Sequence, residues 1–81
     1  MKWTEADGVH SLGLDHELRI LVHHHTHYGP KAWCVTCHGV GFDVRPLTSV
    51  SLVGAQYEAH RLVRGRLRAL VDYYATLGIE L

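Results

Sequence analysis

The chain has 81 residues and a formal net charge of zero, and 47% of its residues are hydrophobic. This length fits a single domain, 1–81, and the hydrophobic content is too high for a disordered segment. No apolar run approaches the roughly 20 residues that a membrane-spanning helix needs, and the first residues lack the apolar core of a signal peptide. We therefore expect a cytoplasmic domain with no membrane contact.

The N-terminal half predicts short antiparallel strands separated by turns. Residues 1–8 read as a loose lead-in whose Trp3 docks on the core, and the β-branched apolar run from Leu18 gives the strongest strand signal. The predicted strands are 9–12, an edge strand, then 18–27, 32–35 and 40–45. The predicted turns are 13–17, 28–31 and 36–39, where Gly, Pro and Asp cluster.

From Thr48 or Ser49, either of which can cap a helix, the apolar period becomes helical. Gly78 is a natural stop, so we expect one long helix over about 49–77. Its predicted apolar stripe consists of Gln56, His60, Val63, Leu67, Leu70, Tyr74 and Leu77. The predicted fold class is α+β: a small antiparallel sheet of three to four strands followed by one long C-terminal helix.

The two cysteines, Cys34 and Cys37, are two residues apart, a spacing that lets two thiolates bind one metal ion. A tetrahedral zinc site needs four ligands, typically thiolates and imidazoles, and a small core gains stability from a bound metal. His60 on the helix is the third candidate. If Tyr28 lies opposite Lys31, His25 faces Cys34 across the sheet. A one-residue change of register would place His24 there instead.

The sequence thus predicts a zinc-stapled fold. The predicted ligands of the Zn²⁺ ion are Cys34, Cys37, His60 and His25, with His23, His24, His27 and His38 as alternatives for the last position.

The order strand, Cys-x-x-Cys turn, strand and histidine-bearing helix resembles the ββα zinc finger with two Cys and two His ligands. Phe42 and Leu52 match its apolar positions, and the resemblance covers roughly residues 32–60. Small zinc-finger-like proteins of actinobacterial phages look similar in outline. Two features depart from the family: 22 residues separate Cys37 from His60, beyond the usual dozen or so, and Arg64 stands where a second helical histidine would lie.

Three other interpretations of these residues remain open. The sequence 34–38 also matches the covalent haem attachment motif, although no methionine follows it as an axial ligand. The cysteines could instead form a disulfide. Asp15-His16 bears a faint similarity to HNH-type nucleases, but a paired-cysteine site is typical of closed, structural zinc. We therefore expect no enzymatic activity.

Two kinds of partner are consistent with the predicted helix. Its second half is too far from the short strands to be covered by them, so Val63, Leu67, Leu70, Tyr74 and Leu77 predict a protein partner or a homodimer. Arg61, Arg64 and Arg68 share one face of the helix, next to the apolar stripe, and arginine is well suited to phosphate. A binding module that contacts another protein is the first hypothesis, and a nucleic-acid-binding zinc finger is the alternative. Solvated helix pairs, Glu58 with Arg61 and Arg68 with Asp72, are the plainer interpretation of the charges.

Overall fold

The computed structural model describes residues 2–13 and 18–77. They form one five-stranded antiparallel sheet followed by one helix, and the strands lie in the order in which they occur along the chain. This arrangement confirms the α+β class with a long C-terminal helix, but the sheet has five strands rather than three to four. The strands are β1 (Thr4–Ala6), β2 (Val9–Gly13), β3 (Arg19–His25), β4 (Gly29–Cys37) and β5 (Phe42–Pro46), and the helix is α1 (Leu52–Thr76).

The additional strand is β1, which lies in the predicted lead-in. It joins β2 through a two-residue turn, Asp7-Gly8, and both residues have positive φ, +53° and +79°. Asp-Gly with two positive φ angles is the preferred type I′ hairpin turn. Because β1 pairs with β2, β2 is an interior strand and not the predicted edge. The predicted turn at 13–17 lies largely outside the described residues.

The hairpin between β3 and β4 turns earlier than predicted. The backbone N–H of Tyr28 donates to the carbonyl of His25 at 3.0 Å, and Gly29 follows with φ +93°. Pro30 therefore lies inside β4, next to a bulge at His24 and His25, where the ladder does not need its missing N–H. As a result His25 lies opposite Gly29, and the prediction that His25 faces Cys34 is wrong.

Strand β4 also runs further than predicted, through Cys37. A short 3-10 turn, His38–Val40, then leads into β5, and Gly41 with φ +84° closes it by donating to the carbonyl of His38 at 3.1 Å. The predicted strand 40–45 is therefore shifted towards Pro46. Its first residue, Val40, is buried in the core instead of lying on a strand.

Helix α1 begins after Ser51, whose hydroxyl accepts the backbone N–H of Gly54 at 3.1 Å. The predicted caps, Thr48 and Ser49, bind the Glu58 carboxylate instead. The 25 residues of the helix span about 37 Å. The predicted stop at Gly78 lies outside the described residues. No helix in residues 2–13 and 18–77 combines the length and apolarity needed to cross a bilayer.

The core lies between helix α1 and one face of the sheet. Small Ala55 and Ala59, followed by Val63, let the helix lie close to the strands, whereas Gln56 and His60 of the predicted stripe lie at its half-exposed margin. The buried face of the helix is thus rotated from the predicted one. The buried cluster comprises Leu12, Ile20, Val22, Val35, Cys37, Val40, Leu47, Ala55, Ala59 and Val63, with Trp3 and Trp33 among the residues packed against it.

Candidate functional site

The predicted thiol pair is divided between the two faces of the sheet. Cys37 belongs to the core cluster beneath helix α1, together with Val35. Cys34 is buried as well, but it lies opposite His23, one position along from the Val22–Val35 pair that faces the helix. Successive side chains on a strand point to opposite faces, so Cys34 and His23 lie on the face away from the helix.

Burial dominates the chemistry of both thiols. It raises the pKa of Cys34 and that of Cys37. At Cys37 the backbone N–H groups of Val40 and Gly39 oppose this effect by bonding to the sulfur. The 3-10 turn after β4 therefore encloses the Cys37 sulfur, and both side chains are the free thiols of a packed interior.

The histidine nearest in register to Cys34 is His23, and it is hydrogen-bonded within the sheet. Its Nε2 lies 2.8 Å from the hydroxyl of Thr36, and its Nδ1 lies 3.0 Å from the carbonyl of His24. The backbone N–H of Val44 also donates to the Thr36 hydroxyl, at 3.2 Å. This pattern fits an imidazole that donates through Nδ1 and accepts through Nε2, so both ring nitrogens have partners.

The other histidines of the β3–β4 hairpin lie apart from the cysteines. His24 stacks on Trp33 with ring centroids 3.9 Å apart, and its Nδ1 contacts the carbonyl of Ala32 at 2.7 Å. His25 and His27 lie at the exposed tip, where the ring of His27 meets Tyr28 edge-on at 4.9 Å. The Nδ1 of His25 accepts the backbone N–H of His27 at 3.1 Å. These imidazoles therefore contact the hairpin itself.

The remaining predicted ligands are also separated. His60 is half-buried on helix α1, and His38 is exposed at the start of the 3-10 turn. Within residues 2–13 and 18–77, no three His, Cys, Asp or Glu side chains come together in a group that could hold a metal. The described residues therefore do not bring the four predicted ligands together, and zinc binding stays a prediction. The Asp15-His16 element of the nuclease alternative lies outside the described residues.

A second candidate site is the far end of helix α1, which extends beyond the sheet. We call residues 68–77 the overhang. Three apolar residues follow the buried Val63 at nearly whole numbers of helical turns: Leu70, Tyr74 and Leu77. They therefore lie on the same side of the helix as Val63, the side that faces the sheet. Leu70 is half-buried, while Tyr74 is 41% and Leu77 52% exposed.

Tyr73 lies beside this row, with its ring 6.0 Å from that of Tyr74, and it is 58% exposed. We call Leu70, Tyr73, Tyr74 and Leu77 the underside of the overhang. Its apolar side chains continue the buried face of the helix past the point where the sheet ends.

A third candidate site is the opposite, solvent-facing side of helix α1. Arg61, Arg64 and Arg68 are all exposed there. Tyr57, which shares this side, is 76% exposed. An open groove of about 1150 Å³ runs along these residues, and Gly65 is also part of its lining.

Comparison with protein-family models, with curated proteins and with solved structures finds no match. The resemblance to zinc fingers therefore rests on the sequence pattern alone. The three sites described above are the features that bear on function. Of these, the overhang has the most apolar surface without cover from the described residues.

Proposed function

We propose that this chain is a small protein-interaction module that pairs with a second copy through the underside of the overhang. The observation that carries the proposal is that the apolar face of helix α1 continues past its own sheet. Aromatic and aliphatic side chains in such a contiguous exposed row are typical of an interface. Tyr73 and Tyr74 supply the large side chains that usually anchor one.

A second copy fits the shape of the overhang. Sheet and helix form two layers, and two packed helices are separated by about 8–10 Å. Two overhangs can pack antiparallel, with their undersides in contact. Each overhang then lies in the same layer as the sheet of the other copy, directly beyond the end of that sheet. A two-fold axis then satisfies both copies with one contact.

The composition of the underside supports this pairing. Its side chains carry no charge, and the acidic residue of the overhang, Asp72, follows Leu70 by two residues and so points away from that row. The short overhang places the interface in the transient class, below about 1,200 Å² of total buried area. The dimer is therefore weak, and its population depends on protein concentration.

Sedimentation analysis over a concentration series tests the proposal. The parent chain should pass from monomer to dimer as its concentration rises, and Leu70→Asp should hold it in the monomeric state because a carboxylate would be buried in the contact. Val53→Asp is the matched control, since Val53 is a 62% exposed apolar residue near the other end of the same helix.

A parent chain that stays monomeric at the highest concentration would overturn the homodimer. So would an equal loss of association in Leu70→Asp and Val53→Asp, because that result would mean that added negative charge, and not the underside, controls association. Zinc binding is a separate hypothesis, and the proposed pairing does not depend on it.

A further inference from the structure

Positive charge is concentrated on the solvent-facing side of helix α1, although the chain as a whole has a net charge of zero. Arg61, Arg64 and Arg68 are spaced three and four residues apart, so they form a row along about 10 Å of the helix. We call Tyr57, these three arginines and Gly65 the outer face. It lies on the side of the helix opposite to the core, and all five residues are exposed.

The nearest acidic side chain, Glu58, is held by the loop before the helix, and its negative charge offsets part of the row from the wall of the same groove. The Glu58 carboxylate accepts the backbone N–H groups of Thr48 and Ser49 at 2.9–3.1 Å, and both hydroxyls at 2.8–3.1 Å. Glu58 is thus directed at the loop before the helix. Asp72, one turn beyond Arg68, is the other acidic residue of helix α1.

Gly65 is the decisive residue of the outer face. Glycine is the least favourable helix residue after proline. At Gly54 the fold requires it, because a Cβ atom would lie 2.9 Å from the Ser51 hydroxyl. At Gly65 a Cβ atom would meet nothing within 4 Å, so packing within the described residues does not explain it. A glycine in mid-helix without an internal reason points to the close approach of something from outside.

We infer that the outer face binds the phosphate backbone of a single-stranded nucleic acid, which lies across Gly65 between the arginines. Arginine offers five N–H donors in a planar fork that matches phosphate oxygens. The exposed Tyr57 ring supplies a surface on which a base can stack. Glycine lets the sugar-phosphate chain reach the helix backbone. The inference concerns a different side of the helix from the proposed dimer contact and does not rest on it.

Fluorescence anisotropy with a labelled single-stranded oligonucleotide over a salt series tests this inference. The parent chain should bind at low salt. Each phosphate contact contributes about 0.7 to the slope of log affinity against log salt for a single strand, so replacing Arg61, Arg64 and Arg68 with Ala should flatten that slope by about 2. Arg19→Ala is the matched control, because Arg19 is an exposed arginine on strand β3.

Gly65→Ala provides a test that a general charge effect cannot imitate, because it leaves the charge unchanged. It should raise the thermal midpoint of the free protein by about 4–8 °C, since alanine favours the helix. It should also weaken binding, since the new methyl group holds the nucleic acid away from the helix.

The inference is overturned if the parent chain binds no oligonucleotide at low salt, or if Arg19→Ala weakens binding as much as Arg64→Ala. It is also overturned if Gly65→Ala binds as tightly as the parent. Preference for a duplex of the same sequence, or equal binding to the sugar polyanion heparin, would exclude single-stranded nucleic acid as the ligand.

Discussion

His23 on strand β3 and Thr36 on strand β4 share a hydrogen bond of 2.8 Å on the face of the sheet that helix α1 does not cover. The same Thr36 hydroxyl accepts the backbone N–H of Val44 on strand β5. Val44 has φ +48°, a conformation that is rare and strained for a β-branched residue. One buried hydroxyl thus connects three strands and supports a strained edge.

The first prediction follows from that hydroxyl. Thr36→Val keeps the shape of the side chain but leaves the Val44 N–H and the His23 imidazole without their partner. We expect a loss of about 1–3 kcal/mol in the free energy of unfolding, measured by urea denaturation. Thr36→Ser, which keeps the hydroxyl, should recover most of it. If valine and serine destabilise equally, the hydrogen bonds contribute nothing.

The second prediction concerns zinc. The described residues place Cys37 in the core and Cys34 on the other face, so they do not bring the four predicted ligands together. If the zinc prediction holds, the purified chain carries one zinc ion, and dialysis against a strong chelator lowers its thermal midpoint because the fold loses the metal. A chain that carries no zinc and whose midpoint a chelator leaves unchanged would contradict the zinc-stapled fold.

The third prediction uses the Glu58 carboxylate. Desolvation alone would raise its pKa, but the four donors of Thr48 and Ser49 outweigh it and hold the pKa below its usual range. A lowered pKa means that Glu58 stabilises the fold above about pH 4.3, its ordinary value, and that this stability is lost as the pH falls through the folded-state pKa. Glu58→Gln should therefore cost about 1–3 kcal/mol at neutral pH.

The pH dependence of that difference provides the control. The gap in unfolding free energy between the parent and Glu58→Gln should narrow when urea titrations are repeated at acidic pH, because the parent then carries a neutral carboxyl group. A gap of constant size from pH 7 to pH 3 would contradict the ionic role of Glu58.

The sequence predicts the larger elements of this fold and misses features that depend on the turns. The helix is found because the stripe from Gln56 to Leu77, most of it apolar, keeps helical spacing over nearly six turns. Strand β1 is missed because it is only three residues long, although Asp7-Gly8 is itself a strong hairpin signal. In this case the turn chemistry was a better guide than the length of the apolar run.

The candidate sites divide in a similar way. The spacing of the three arginines predicts that they share one face of the helix, and the described helix exposes all three. The metal constellation depends on the register of the β3–β4 hairpin. The earlier turn and the bulge between His24 and His25 together place His23, and not His25, opposite Cys34. Sequence spacing does not reveal such a bulge. The meaning of Gly65 also requires the structure, because only the space around its Cα separates it from Gly54.

The last prediction compares two apolar residues of helix α1, one packed on the sheet and one on the overhang. Val63 is fully buried beneath the sheet, so Val63→Ala should lower the free energy of unfolding by about 1–3 kcal/mol through lost burial and an unfilled cavity. Leu70, one heptad later, is half-buried on the overhang, and Leu70→Ala should change it by no more than about 0.5 kcal/mol in dilute protein. At high concentration the difference between the two variants should narrow, because Leu70→Ala then removes a side chain from the dimer contact and lowers the apparent midpoint, while the effect of Val63→Ala stays constant. Both variants are to be compared by thermal unfolding at two concentrations. If Leu70→Ala instead lowers the free energy of unfolding strongly and equally at both concentrations, the chain itself covers the underside.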